Sequence, residues 1–300
     1  MQVAVVDFSN VEELRYTLQG IDLVISTIPG TAQLDLINAA RRARVRVFVP
    51  SEFEGSVSHR PTSQASDPLD RGSHAALNLL RQMSQSKPTG MQYTVFSCGL
   101  FMERFGPGGL QAYNLGASTG VRGPSDFLID ILQGIAEIVD SSNPQRPAQV
   151  VLTSVYDVAR FVAAAIELGL DHWPREFKMR GDHMSVAEVV RTCDAVRGGM
   201  CKAQAVLTKA MSSILTYHLC IVPLGGTVHT YEVGLRHAES CQENEDWAGW
   251  MYYQRLLATA NGRYNFRHPN LNEVLTQAGL MTFAPLNFRQ WLEAVWGPAL

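Results

Sequence analysis

The sequence predicts an α/β protein built on a parallel β-sheet whose two faces are both covered by helices. Within the first hundred residues, short apolar strand signals alternate with amphipathic helix signals, which is the rhythm of βαβ units. Because a strand in a parallel sheet is buried on both faces, nearly continuous apolar runs favour this arrangement. The strand signals lie at 3–6, 21–26, 45–49 and 93–96.

Helix signals separate these strands and continue to the end of the chain. Asn10 can cap the first helix, and Gly20 can end it. Ser185, followed three residues later by Glu188, predicts a capping box at the start of a later helix. Further helices are predicted near 34–44, 73–83, 156–169 and 287–296, and residues 204–260 look helical and rich in aromatic side chains.

The strand signals of the parallel sheet lie within residues 1–150. The long polar stretch at 54–71 is predicted to be a loop, and long loops after sheet strands often carry function.

Composition excludes several classes of protein. With 46% hydrophobic and 18% charged residues in 300, the chain has the composition of a globular protein. A net charge of −3 provides no positive field that would attract nucleic acid, so a nucleic-acid-binding protein is not expected. No apolar run reaches the ~18 residues that a membrane-spanning helix needs. Five widely spaced cysteines without a Cys-x-x-Cys pair indicate reduced thiols, so we expect a cytoplasmic protein.

Small polar residues and glycines follow three of the predicted strands. These segments are 26–30 (STIPG), 49–53 (VPSEF) and 97–101 (SCGLF). In an open parallel sheet, ligands bind outside the carboxyl ends of the strands. We therefore expect the three segments to share one crevice that suits a sugar or a flat ring.

The order of these segments resembles the NmrA-like and isoflavone-reductase-like branch of the short-chain dehydrogenase fold. Three features of residues 6–55 carry the resemblance. An Asp follows the first strand, the second strand ends in Val-Ile-Ser, and a Pro-Ser-Glu-Phe motif follows the third strand. The segments YTVFSCGLFMERFGPGG (93–109), SVYDVARFVAAAIE (154–167) and LNEVLTQAGLMTFAPLNFRQWLEAVWG (271–297) extend the resemblance, with a fungal character.

The resemblance implies a Rossmann-like parallel sheet, here missing its first βαβ unit, and NADPH-dependent reduction of a small aromatic or polyketide-like metabolite in secondary metabolism. It implies that NADP(H) contacts Asp7 and Phe8 at the adenine, Thr27, Ile28 and Pro29 at the ribose and nicotinamide, and Pro50, Ser51, Glu52 and Phe53 around the nicotinamide. It also implies a substrate wall formed by Cys98, Gly99 and Phe101. The resemblance further implies a truncated NAD(P)-binding domain at 1–150 and a smaller C-terminal α+β substrate lobe at 151–300, from which part of the chain returns to the sheet.

One departure from the family concerns the cofactor. Family members begin with a strand and a Gly-x-x-Gly-x-x-Gly turn that holds the pyrophosphate, and this sequence contains no such motif. Each lost charge-assisted hydrogen bond removes about 1.5–3 kcal/mol, so we expect weak or absent NADP(H) binding. Two explanations stay open: a true start further upstream, or a divergent form whose sheet has closed up or pairs between subunits.

A second departure concerns the proton donor. Isoflavone reductases carry a Lys at the start of the helix after the Pro-Ser-Glu-Phe loop, and the matching residues 70–77 contain no lysine. His74 is the candidate catalytic acid, since its ordinary pKa near 6.5 suits proton transfer. The alternative is that His74 is a solvated residue in the first turn of the helix.

Other sites are not supported by the spacing of residues. His183, His218, His229 and His237 lie too far apart for a recognisable metal motif, so no metal is predicted, and no Gly-x-Ser-x-Gly hydrolase motif occurs. The predicted partner is a small-molecule substrate, with a homodimer left open. Two alternatives to a reductase remain: a dinucleotide-sensing regulatory protein without turnover, and a redox-neutral isomerase or cyclase.

Overall fold

The computed structural model describes residues 3–86, 90–116, 123, 127–141, 146–171, 173–197 and 226–297. These ranges contain both helices and strands. The helices are α1 (Val11–Thr17), α2 (Thr31–Arg42), α3 (Ser73–Gln85), α4 (Val155–Glu167), α5 (Val186–Val196), α6 (Tyr231–Glu243), α7 (Trp247–Ala260), α8 (Asn270–Gln277) and α9 (Phe288–Trp296). The strands are β1 (Leu23–Ile25), β2 (Val47–Val49), β3 (Gln92–Tyr93), β4 (Val95–Ser97), β5 (Leu100–Phe101), β6 (Ile129–Asp130), β7 (Ile135–Val139), β8 (Gln149–Thr153), β9 (Glu176–Lys178), β10 (Asp182–Ser185) and β11 (Thr227–His229).

The chain divides into two interleaved units. Unit one consists of Met1–Cys98, Ala159–Met179 and Arg267–Phe283, and unit two consists of Gly99–Val158, Arg180–Phe266 and Ala284–Leu300. The prediction placed one boundary at residue 150. In the structure the chain leaves unit one after Cys98 and returns to it twice, so each unit is assembled from three separate segments.

Unit one contains the predicted parallel sheet. β1 pairs with β2 and β2 with β3, all parallel, in the register Leu23 opposite Val47 and Val47 opposite Gln92. Only Thr94 separates β3 from β4, and its backbone N–H donates to Phe48 O at 3.1 Å. β9 adds to β4 in parallel. The α/β fold class is therefore confirmed.

Apolar side chains on both sides of this sheet form the core of unit one. Phe48 is wholly buried in β2, as the continuous apolar run predicted. Helices α2 and α3 each bury one apolar face. The buried helical side chains that join the core are Leu36, Ile37, Ala39, Ala40, Ala76, Leu77, Leu80 and Met83.

The predicted first strand at 3–6 does not form. Residues 3–7 are irregular, and the side chains of Val3 and Val5 are 80% and 94% exposed. A strand needs a neighbour that accepts and donates its ladder hydrogen bonds. Among the described residues none pairs with this segment, so its apolar composition alone does not make it a strand.

Unit two combines two small mixed sheets with helices. β8 lies between β10, which is antiparallel to it, and β5, which is parallel. β7 lies between β11 and β6 in the same way, parallel to β11 and antiparallel to β6. A core of aliphatic and aromatic side chains packs against both sheets, including the wholly buried Phe288 of α9.

Several predictions lie outside the described residues, namely the helical character of 204–225, the cysteines Cys201 and Cys220, and His218. The other three cysteines, Cys98, Cys193 and Cys241, form no disulfide. Across the part of the chain that the structure describes, no helix combines the length and the apolar character needed to cross a membrane.

Candidate functional site

The carboxyl ends of three parallel strands lie side by side in unit one. Ile25 of β1 stands opposite Val49 of β2, and the N–H of Ser26 donates to Val49 O at 2.8 Å just beyond the ladder. Past β4, the N–H of Cys98 donates to Glu54 O at 2.9 Å. The segments that follow β1, β2 and β4 are therefore joined to one another by backbone hydrogen bonds.

The segment after β1 forms a tight turn into α2. The Ser26 hydroxyl is buried and donates to Ile28 O at 3.2 Å, while Thr27 is exposed and Ile28 and Pro29 are half-buried. Gly30 precedes α2 with a φ of 74°, a left-handed conformation that favours glycine. This turn exposes a hydroxyl beside two apolar side chains.

Gly72, at the start of α3, closes against that turn. Its φ is 89°, and a Cβ on it would lie 3.3 Å from the Gly30 Cα. Two glycines therefore allow the loop after β1 and the beginning of α3 to touch through their backbones. A side chain at Gly72 would push the two segments apart, whereas a Cβ on Gly30 would meet open space.

The segment after β2 is fixed by buried polar contacts. Glu52 is 2% exposed, and its carboxylate lies 2.5 Å from Arg60 Nη1 and accepts from the Ser73 hydroxyl at 2.7 Å. Arg60 also pairs with Glu54 at 2.9 Å and donates to Gly55 O at 3.0 Å. Burial raises the pKa of Glu52 above its usual range, although Arg60 opposes the shift.

Other contacts hold the same segment from both sides. The N–H of Ser51 donates to the Gln33 side chain of α2 at 2.6 Å. The Glu176 carboxylate of β9 accepts from the Ser97 hydroxyl at 2.7 Å and from the Val57 N–H at 2.9 Å. Burial alone would raise the pKa of Glu176, but these hydrogen bonds outweigh burial and lower it. Buried polar contacts from α2, α3 and β9 thus hold the segments of this edge in place.

His74 lies in the first turn of α3 with both ring nitrogens engaged. Nδ1 is 2.9 Å from Asp70 Oδ1, and Nε2 is 2.9 Å from Pro61 O. A carboxylate and a carbonyl oxygen only accept, so both ring nitrogens carry protons in this arrangement. Burial lowers the pKa of His74, but the bonds to Asp70 and Pro61 O outweigh it, and the net pKa is raised.

Asp70 holds the His74 ring in this position at the start of α3. Its carboxylate also accepts from the backbone N–H groups of His74 and Gly72, both at 3.0 Å, and so caps the start of α3. His74 has a side-chain exposure of 16%, so it is not the solvated residue of the alternative. Its role as catalytic acid stays a prediction.

The Asp70–His74 pair has a third neighbour. Asp67, Asp70 and His74 each place one possible metal-ligand atom within 4.8 Å of the others. Carboxylates and imidazole are ligands that divalent cations take. The atoms of Asp70 and His74 already bond to each other, so a cation would have to break that bond.

The remaining residues predicted to contact cofactor or substrate differ in their exposure to solvent. Asp7 is exposed, and its carboxylate accepts from the Ser9 N–H and hydroxyl at 2.8 and 2.7 Å, whereas Phe8 packs on the core of unit one. Pro50 and Cys98 are buried, and Phe53 is half-buried. Their contacts with NADP(H) and substrate stay predictions.

Gly99 and Phe101 belong to unit two. Gly99 has a φ of 73°, and a Cβ there would overlap the carbonyl oxygen of Val151. Packing against β8 therefore already requires a glycine at this position. Phe101, in β5, is half-buried.

Sequence reasoning missed the residues that support the edge, namely Gln33, Arg60, Ser73 and Glu176. Arg60 is eight residues from its partner Glu52, whereas Glu176 is 79 residues from Ser97. No local spacing signals these contacts. The length of the loop at 54–71, which contains Arg60 and ends just before Ser73, is the one signal that points towards two of them.

Comparison with known proteins gives a sequence relative and several solved structures, while no family model matches the chain. An isoflavone reductase homologue of Nicotiana tabacum is 29% identical over 166 residues, which cover 54% of this chain and 46% of that protein. The matched region thus spans about half the length of the curated relative. A homologue of Nicotiana glauca matches over the same share.

Solved structures with the same fold cover nearly the whole chain. An isoflavone reductase structure has 16% identity and a TM-score of 0.55, covering 96% of this chain and 80% of its own. Leucoanthocyanidin reductase of Vitis vinifera has 14% identity and a TM-score of 0.57, covering 96% of this chain and 83% of its own. An NADPH-dependent quinone oxidoreductase of Escherichia coli, solved with NADPH, has 12% identity and a TM-score of 0.58, covering 99% of this chain and 84% of its own.

At these identities the solved structures establish the fold, which is the Rossmann-like fold of NAD(P)-binding reductases and epimerases. None of the similar proteins supports a fungal origin. The chain is thus similar in sequence to isoflavone reductase homologues over about half its length, and similar in fold to an isoflavone reductase and a leucoanthocyanidin reductase.

Proposed function

We propose that this chain is an NAD(P)H-dependent oxidoreductase that reduces a small aromatic or polyketide-like metabolite in cytoplasmic secondary metabolism. The observation that carries the proposal is the joining of the segments after β1, β2 and β4 at one edge of a parallel sheet. This is the edge where open α/β sheets bind ligands. Proteins of the same fold include an NADPH-dependent quinone oxidoreductase and a triphenylmethane reductase solved with NADP(H).

The described residues fit one half of the cofactor better than the other. Thr27 offers an exposed hydroxyl beside the half-buried Ile28 and Pro29, a surface that suits a ribose and the face of a nicotinamide ring. For the diphosphate, the sequence offers no Gly-x-x-Gly-x-x-Gly turn. We therefore propose that NADP(H) binds weakly, held at its nicotinamide end.

The chain's own residues would position the reactants. When bound, the cofactor supplies a hydride. Thr27, Ile28 and Pro29 would orient the ring, and the rigid segment 50–55, fixed by Glu52 and Arg60, would form the adjoining wall and exclude water. His74 would give up the proton on Nε2 only after leaving the Pro61 carbonyl oxygen.

The engagement of the His74 ring favours a second candidate function. Since both His74 ring nitrogens are engaged within unit one, the chain offers no proton already aimed at a substrate from this position. A protein that senses dinucleotide without turnover needs no such donor. The second candidate is therefore a regulatory protein that binds NADP(H) at the same edge.

A titration with NADPH, followed by an assay of NADPH consumption with quinone and aromatic carbonyl substrates, separates these functions. Saturable binding with turnover supports the reductase, and binding without turnover supports the sensor. If NADPH does not bind while a substrate analogue does, a redox-neutral isomerase or cyclase is favoured. If His74→Ala leaves a measured rate unchanged, His74 is not the proton donor.

A further inference from the structure

Two histidines that are eight residues apart in the sequence meet on the surface of unit two. His229 ends β11 and His237 lies on α6, and their ring centroids are 4.9 Å apart. Glu137 of β7 and Tyr253 of α7 complete the cluster. This group lies outside the site described above and plays no part in the proposed reduction.

Glu137 fixes the orientation of the His229 ring. Its Oε1 is 2.7 Å from His229 Nε2 and accepts from the Tyr253 hydroxyl at 2.9 Å. A carboxylate oxygen that accepts from both a hydroxyl and an imidazole leaves the imidazole proton on Nε2, so Nδ1 of His229 keeps its lone pair.

His237 offers a second imidazole. It is exposed, and its ring stacks on Tyr253 with centroids 5.0 Å apart and planes 13° apart. Within the described part of the chain, no hydrogen bond of the His237 ring is found. Tyr253 therefore supports the ring from one side without occupying its nitrogens.

The spacing of the two rings is the spacing of ligands on one ion. Two imidazoles that bind Zn²⁺ at about 2.0–2.1 Å in a near-tetrahedral geometry have ring centres about 5 Å apart. A carboxylate that accepts from the far nitrogen of a ligating histidine is the usual outer partner in such sites.

We propose that His229 and His237 bind a divalent transition-metal ion, with Zn²⁺ as the representative, and that Glu137 is the positioning residue for His229. Water completes the coordination, because His237 is exposed to solvent. The ion would tie β11 to α6. The alternative is that the two rings only pack edge to face, as aromatic side chains often do.

The test is calorimetric titration of the metal-free full-length chain with Zn²⁺ alone. We expect one ion per chain, at least about tenfold weaker binding in His229→Ala and His237→Ala, and a 10–100-fold loss in Glu137→Gln. His268→Ala, an exposed histidine in unit one, is the matched control and should bind as the parent does. Because His237 is exposed, its replacement should leave the thermal unfolding temperature of the metal-free chain unchanged.

Three results would overturn the site. The first is no saturable binding by the parent chain. The second is full affinity in both His229→Ala and His237→Ala. The third is a loss of binding in His74→Ala with none in His237→Ala, which would move the ion to the cluster of Asp67, Asp70 and His74. Each result is independent of NADPH binding and turnover, so the proposed function stands or fails separately.

Discussion

Glu52 and Arg60 form a buried ion pair directly after β2, with both side chains about 3% exposed. The pair closes the loop that follows the Pro-Ser-Glu-Phe motif, and Ser73 and Glu54 add further contacts to it. A buried charge whose partner is removed keeps its desolvation cost without the compensating attraction. The pair therefore makes this loop part of the sheet edge.

Removal of one member of the pair should destabilise the protein strongly. For Arg60→Ala we expect the free energy of unfolding to fall by about 3–5 kcal/mol, measured by urea denaturation. Arg15→Ala is the control, because it breaks the exposed Arg15–Glu12 pair, which should contribute about 0–1 kcal/mol. An equal loss of unfolding free energy in the two variants would show that the buried pair stabilises the protein no more than the exposed pair does.

Gly99 should tolerate no side chain. Its φ of 73° and the overlap of a Cβ with the Val151 carbonyl oxygen predict that Gly99→Ala destabilises unit two by more than the ~1–2 kcal/mol of a left-handed alanine alone. Gly20→Ala isolates the conformational part, since Gly20 has a φ of 76° and open space around it. If chemical denaturation gives the same loss for both, the approach of Gly99 to β8 is not tight.

His74 should stabilise the fold in a pH-dependent way. Its pKa is raised in the folded state, so its contribution is complete below the unfolded value of about 6.5 and is lost as the pH rises through the folded pKa. The pKa of Asp70 is lowered in the folded state, against the effect of burial, by hydrogen bonds from His74 and Gly72. The contribution of Asp70 is therefore lost only in stronger acid.

The measurement is the unfolding free energy of the parent chain and His74→Ala at pH 5.5 and pH 8.5. We expect the difference between them to be about 1–2 kcal/mol at pH 5.5, from two hydrogen bonds, and to shrink at pH 8.5. His268→Ala, at an exposed position, is the control variant for the loss of a histidine side chain. A difference that grows with pH would mean that His74 is neutral in the folded protein.

Local sequence signals predicted the helices well. Ser185 accepts from the Glu188 N–H at 3.2 Å, and Glu188 accepts from the Ser185 N–H at 2.7 Å, which is the predicted capping box. Asn10 likewise accepts from the Glu13 N–H at 3.1 Å. Such contacts lie within one helical turn, so residue spacing alone determines them.

Contacts between distant segments could not be predicted in this way. Nothing in the spacing of Ser97 and Glu176, or of Glu137 and His229, indicates that their side chains meet. The segment 3–6 shows the opposite failure, because its composition suits a strand and no described strand pairs with it. Where a side chain's partner depends on the path of the chain through the fold, a single sequence holds no signal for it.

In the proposed function, the edge beyond β1, β2 and β4 holds the nicotinamide end of NADP(H). The measurement is a titration with NADPH, in which the fluorescence of NADPH reports binding. The test variant is Thr27→Phe, because a phenylalanine at this exposed position would cover the edge. The control variant is Thr17→Phe, at an exposed position at the end of α1. We predict saturable binding to the parent chain and to Thr17→Phe, and at least about tenfold weaker binding to Thr27→Phe, equivalent to about 1.4 kcal/mol. No binding to the parent chain, or equal binding to all three, would contradict the claim.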